Sequence, residues 1–149
     1  MSTLKRSTLI LTLIVLAACS AAATSPLAAN RQKWESLHIS HYRFILSISC
    51  FCGFNNRMPL TIEVKDGQLV SMLDRQGQPV TEFLDIFGKY STIEKLFNVL
   101  DSALNGGADK VTVDYDAQYG YPQAIVIDYV ENAMDDEMGF TINKFEILK

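Results

Sequence analysis

The stretch LTIEVKDGQLVSMLD, Leu60 to Asp74, decides the fold. Leu60, Ile62 and Val64 alternate with Thr61, Glu63 and Lys65, the period of a strand with one face buried. Asp66-Gly67 then supplies the positive φ angles of a tight hairpin turn into a second strand, Gln68 to Asp74. In the plain two-residue register Val64 faces Leu69 and Leu60 faces Leu73, which makes one hairpin face apolar.

Working back toward the N-terminus, His41 to Phe51 alternates in the same way. Tyr42, Phe44, Leu46, Ile48 and Cys50 share one face; His41, Arg43, Ser47 and Ser49 share the other, with Ile45 as the exception. Before it, Ser25-Pro26 can start a helix, with Ser as N-cap and Pro in the first turn. Leu27, Arg31, Trp34 and Leu37 or His38 then fall on one side, and Trp34 is expected to dock that helix.

Toward the C-terminus, Gln76-Gly77-Gln78-Pro79 breaks the pattern, and Glu82 to Tyr90 suits a short helix or a buried loop. Ser91 to Leu104 reads as a helix. Ser91 and Glu94 fit a capping box, Ile93, Leu96, Phe97, Leu100 and Leu104 form a stripe, and Asn105-Gly106-Gly107 stops it. Three more strands are expected: around Val111, Val113 and Tyr115; around Ile125, Ile127 and Tyr129 after the Tyr119-Gly120-Tyr121-Pro122 turn; and from Phe140 onward. The parity shift between Ile142 and Phe145 predicts a bulge near Asn143-Lys144.

The predicted fold is therefore α+β: an antiparallel sheet of about six strands in helix–three strands–helix–three strands order, with the helices packed on one face. Thr61-Ile62-Glu63-Val64 resembles Thr112-Val113-Asp114-Tyr115, so an internal duplication is one expectation.

The N-terminus carries an address. A basic head, Lys5-Arg6, precedes an apolar run from Leu9 to Ala18 that is too short to span a bilayer. The run ends in Leu16-Ala17-Ala18-Cys19, which resembles the lipobox of bacterial lipoproteins. That resemblance implies diacylglycerol on the Cys19 thiol, cleavage before Cys19, and often a further acyl chain on the new amino group. The other reading is an ordinary secretory cut at a nearby Ala. Residues 1–18 would then be signal peptide, 19–29 a flexible tether rich in Ala, Ser and Thr, and 30–149 one domain. Ser20 after the lipidated Cys is associated in proteobacteria with outer-membrane sorting, so the expected place is the cell envelope, at the outer membrane and facing the periplasm.

Cleavage removes Lys5 and Arg6, so the 13 basic residues fall to 11 while all 17 acidic ones remain, a mature formal charge of −6. An acidic domain has no electrostatic reason to bind nucleic acid or an anionic lipid surface. Membrane association would come through lipid on Cys19, for which two acyl chains suffice.

With Cys19 lipidated, Cys50 and Cys52 have only each other as internal partners under oxidising conditions. Their α-carbons would sit near or past the disulfide limit in an extended strand, so a bond needs the backbone to kink. The alternatives are free thiols in redox exchange, or soft-metal ligands together with His38, His41 and Met58.

Several strings carry a resemblance together. They are Trp34, the Tyr42 strand ending in Cys50-Phe51-Cys52, the Val64-Lys65-Asp66-Gly67 hairpin, Val113-Asp114-Tyr115-Asp116, Tyr119-Gly120-Tyr121-Pro122, and Ile127-Asp128-Tyr129-Val130-Glu131-Asn132 with Asp135-Asp136-Glu137. The chain resembles the bacterial lipoproteins grouped as domain-of-unknown-function family 6174, from Trp34 to about Phe145. The resemblance implies a compartment and no activity.

Function has few handles. Asp114, Asp116, Asp128, Glu131, Asp135, Asp136 and Glu137 could offer oxygens to calcium, although the EF-hand-like start at Asp114-x-Asp116-x-Gln118 fails at its closing position, Ile125. Tyr115, Tyr119, Tyr121 and Tyr129 are either cross-strand packing or an aromatic surface for an envelope protein partner. No nucleophile elbow, zinc-protease motif, phosphate loop or dinucleotide fingerprint is present. The expectation is a non-catalytic binding or structural module without a cofactor, with metal, thiol-redox or calcium chemistry as alternatives.

Overall fold

The computed structural model describes residues 24–149. Cys19, the signal segment and the first part of the tether lie outside the described residues. The elements are helix α1 (Pro26–Ser36), strands β1 (His41–Ser49), β2 (Leu60–Lys65) and β3 (Gln68–Leu73), helices α2 (Leu84–Phe87) and α3 (Ile93–Gly106), and strands β4 (Lys110–Tyr115), β5 (Pro122–Asp128) and β6 (Met138–Ile147). Single 3-10 turns occupy Asn55–Arg57 and Gly88–Tyr90. All six strands form one antiparallel sheet in the order β3-β2-β1-β6-β5-β4, an α+β fold.

The β2–β3 turn forms as the Asp-Gly pair dictates: Asp66 and Gly67 take φ of 50° and 73°, both left-handed. Val64 pairs with Leu69, but Leu60 does not pair with Leu73. The ladder shifts so that Ile62 faces Met72 and Thr61 faces Leu73, leaving Val70 as the extra residue of a bulge. The plain register would have set Ser71 against Ile62 in the core. The bulge puts Met72 there instead, 6% exposed, and leaves Val70 in solvent.

β1 buries Tyr42, Phe44, Leu46 and Ile48 as its alternation requires. Its pairing with β6 slips between Ile45↔Lys144 and Leu46↔Ile142, so Asn143 is the bulged residue. That slip keeps Phe145 on the side of Trp34, whose ring it meets edge-on at 5.7 Å.

Helix α3 differs from expectation at its start. The N-cap is Thr92, whose Oγ1 accepts from the Lys95 N–H (3.2 Å); Ser91 is buried and donates to the Gly88 carbonyl (3.0 Å). Glu94 is drawn away from any capping box by a tertiary network. One carboxylate oxygen accepts from Trp34 Nε1 (2.8 Å) and the other from the Tyr42 hydroxyl (3.2 Å). The same hydroxyl accepts from the Ile93 N–H (3.1 Å), so a β1 side chain satisfies a free donor of the helix terminus. Ile93, Leu96, Phe97 and Leu100 are buried as expected, but Leu104 is exposed and Ala103 takes the last buried position. Gly107 ends the helix at φ 80°.

Helix α1 starts at Pro26, capped by Ser25 Oγ on the Ala28 N–H (3.2 Å), so residues 26–29 are helical although the tether reading had included them. Trp34 is its one buried residue, edge-on to Tyr42 (5.4 Å) as well as Phe145.

The two similar strings do not fall on corresponding strands: Thr61–Val64 lies on β2, the second strand of the first triad, and Thr112–Tyr115 on β4, the first strand of the second.

Candidate functional site

Three strands finish at one end of the sheet. Ser49 of β1 and Val126 of β5 both lie opposite Gly139 of β6, and Ile127 lies opposite Met138. Beyond this row the chain leaves through Cys50-Phe51-Cys52 on one side and Tyr129 to Glu137 on the other. Segments some 80 residues apart in sequence, each singled out for composition, thus face each other across a cleft of about 310 Å³. Its walls are Ser49, Cys50, Phe51, Val126, Asp135, Glu137, Met138 and Gly139. A Cβ on Gly139 would collide with Ser49 Oγ, so the glycine makes room for that hydroxyl.

The backbone kink required for a Cys50–Cys52 bond is present. β1 ends at Ser49, the chain bends, and the α-carbons come to 5.2 Å with the sulfurs at disulfide distance. The small ring presents Phe51 to solvent, 82% exposed. Met134, at 88%, and half-exposed Val126 and Val130 add apolar surface at this end. The segment around them is acidic, with Lys110 opposite Asp128 and with Lys89 and Lys95 in the neighbouring cleft as the nearby cations. Asp128, Glu131, Asp135, Asp136 and Glu137 fall in this segment, and no Lys, Arg or His occurs between Lys110 and Lys144. The loop is tied down by its own acids: Asp136 accepts from the Val130 N–H and Asp109 from the Glu131 N–H, both at 2.7 Å.

A second cleft, of about 500 Å³, opens toward α3 and shares Met138 as its wall. Asp85, Tyr90, Asn98, Val99, Ser102 and Tyr129 line it. The Tyr90 ring packs at a tilt on Phe140 (4.8 Å) and its hydroxyl meets Met138 Sδ at 3.9 Å; burial first, then the neighbouring Tyr129, pushes its phenol up. The Lys95 ammonium in this cleft donates to the Gly88 carbonyl (2.6 Å) and to Ser91 Oγ (3.0 Å).

The four tyrosines of the second hairpin do not form one surface. Tyr121 is buried, its ring tilted against Phe145 (4.9 Å) and edge-on to Trp34 (6.3 Å), and half-buried Tyr119 packs on Phe145 (5.3 Å). Tyr115 lies flat against Phe97 (6.5 Å). Tyr129 is at the opposite end of the hairpin, because Tyr115 pairs with Pro122 while Asp128 pairs with Lys110. Packing therefore accounts for three of them, and Tyr129 alone reaches the sheet-end clefts.

The soft-metal set also separates. His41 begins β1 and binds Glu63 (3.0 Å), whereas Cys50 follows its far end, roughly 30 Å away at about 3.3 Å per residue. The calcium set divides likewise: Asp116 sits at the β4–β5 turn accepting from the Gln118 and Tyr119 N–H groups, remote from Asp128 to Glu137. Among the described residues, no three His, Cys, Asp or Glu side chains converge as metal ligands.

Burial dominates the two deepest phenols. Tyr42 is raised far above the usual tyrosine value by burial and by Glu94, and Tyr121 is pushed up to about 12 by burial and by Asp116. A folded value above the unfolded 10 means that stability is full below pH 10 and is lost as pH rises toward the folded values. Ultraviolet titration of the 6 tyrosines should accordingly show Tyr42 and Tyr121 ionising only with unfolding, with melting temperature falling above pH 10. Complete phenolate formation in a folded protein at pH 11 would contradict the packing described.

No curated protein and no solved structure matches the chain. One family model does, over residues 26–147, from the first residue of α1 to the last of β6. The chain accordingly belongs to a family of unknown function, DUF6174.

Proposed function

We propose that this chain is a lipid-anchored, non-catalytic binding module of the cell envelope, held by diacylglycerol on Cys19 at the outer membrane and facing the periplasm. The basic head, apolar run and Leu16-Ala17-Ala18-Cys19 support the anchor. Helices α1 and α3 cover one face of the sheet, since Trp34, Ile93, Leu96 and Leu100 share a buried cluster with Tyr42, Phe44 and Ile62. The other face carries Arg43, Thr61, Glu63 and Thr141 to water.

The observation that carries the binding reading is the sheet end, where Phe51, Val126 and Met134 stand exposed beside the acidic segment Asp128 to Glu137. An apolar centre with a charged rim is the anatomy of an interface, and its negative sign selects a protein segment bearing Lys or Arg beside an apolar side chain. Anionic lipid and nucleic acid are repelled by the same charge.

A photoreactive phenylalanine analogue at position 51 of the full chain, irradiated in intact cells, tests this. Adducts to a basic peptide should form, and the double reversal Asp135→Lys with Glu137→Lys should cut their yield about tenfold, the equivalent of roughly 1.4 kcal/mol. Adducts indifferent to that reversal would remove the reading. Replacing Cys50 and Cys52 together by serine separates the thiol alternative: a structural bond predicts lower melting temperature with adducts retained, thiol exchange predicts their loss.

A further inference from the structure

The two edges of the sheet are finished differently. β3 is blunted by the Val70 bulge and by residues 78–80 folding back on it: Leu73 bridges Pro79, the Val80 N–H donates to the Met72 carbonyl (3.0 Å), and the Asp74 N–H donates to the Gln78 carbonyl (2.9 Å). Among the described residues β4 has no such cover, and its only ladder partner is β5.

The direction of its free groups follows from the ladder. The Asp116 N–H points inward, to the Tyr121 carbonyl (2.9 Å). The bulge in this hairpin falls on β5, where Gln123 is skipped between Ala124 and Pro122, so β4 alternates without a break. Val111 and Val113 therefore aim their N–H and C=O groups out of the sheet. Pro122, opposite Tyr115, has no N–H to direct, consistent with that alternation.

We propose that this edge pairs with β4 of a second copy of the same chain, antiparallel, about a two-fold axis at Thr112. The sequence KVTVDY of β4 is self-complementary in that register. Val111 lies opposite Val113 of the second copy and exchanges backbone hydrogen bonds with it, four in all by symmetry. Lys110 lies opposite Asp114 of the second copy, twice. Both side chains are exposed on the open face, with Thr112 between them. Half-buried Val111 and Val113 continue the apolar layer on the helix side. The occupant is thus specified by charge: an unlike strand lacks the Lys–x–Thr–x–Asp pattern that matches its own reverse. This surface is independent of the acidic sheet end and stands whether or not that end binds a partner.

Thr112→Cys in the full chain in its membrane is the direct test. Thr112 and its symmetry mate form a non-hydrogen-bonded pair with α-carbons about 4.5 Å apart, within disulfide reach. Mild oxidation should yield a reducible homodimer from Thr112→Cys, with Asp114→Cys and the unsubstituted chain giving background only, since Asp114 lies four residues out of register with itself. In the Thr112→Cys background, Lys110→Asp should lower the crosslink at least about tenfold, and Lys110→Asp with Asp114→Lys should restore it. Circular dichroism confirms that each variant is folded. A Thr112→Cys crosslink no stronger than background, failure of the double exchange to restore it, or crosslinking to a different chain would each overturn the proposal.

Discussion

Trp34→Ala will lower the unfolding free energy by about 3–5 kcal/mol, the range for truncating a buried tryptophan. For a domain whose total stability is on the order of 5–15 kcal/mol, that is a large fraction. The indole is α1's only buried side chain, and it meets Tyr42, Tyr121 and Phe145 edge-on while its Nε1 donates to Glu94. Its removal opens a cavity shared by α1, β1, β6 and the β4–β5 turn, and leaves the Glu94 carboxylate with the Tyr42 hydroxyl alone. Trp34→Phe separates the two contributions: much of the ring packing stays, the hydrogen bond goes, and about 1–3 kcal/mol should be lost. Chemical denaturation measures both. A loss below about 1 kcal/mol for Trp34→Ala would make α1 an appendage with no part in the core.

Gly120→Ala will cost about 2–3 kcal/mol, and its partner Gly107→Ala explains why. Both glycines have left-handed φ, 82° and 80°, so each substitution carries a conformational cost of about 1 kcal/mol. At Gly107 nothing lies within 4 Å of an added Cβ, whereas at Gly120 the Asn30 carbonyl oxygen would be 2.9 Å away and Lys33 Cβ 3.2 Å. The difference between the two variants therefore measures how closely the turn approaches α1. Equal losses would show that α1 does not rest on the turn. The Tyr-Gly-Tyr-Pro string has a structural explanation in these terms. The glycine permits the approach, Tyr121 fills the space under Trp34, and the proline starts β5 where no N–H is needed.

Seen in the sequence, that string was legible only as a turn. The contact that requires its glycine lies on a helix some 90 residues earlier. The candidate site shows the same division. Cys50-Phe51-Cys52 and Asp135-Asp136-Glu137 each stand out by composition, but nothing local says that they share a cleft. The pairing of β1 with β6 brings them together. Conversely, the four tyrosines suggest a surface because they are near in sequence, yet a hairpin sends its ends apart and its inward side chains into the core.

What the amino-acid order determined by itself is what depends on neighbours: the Asp66-Gly67 turn, the alternation of β1, the apolar face of α3 and its stop at Gly107, and the Asn143 bulge. Period, turn chemistry and parity are properties of a few consecutive residues. Tertiary structure alone decided the Val70 bulge, the cap at Thr92, the capture of Glu94 by Trp34 and Tyr42, the exposure of Leu104, and the meeting of two distant segments at Met138. Each of these is settled by which buried side chain or hydrogen-bonding group lies on the facing element, and that partner is brought there by strand register across the whole sheet.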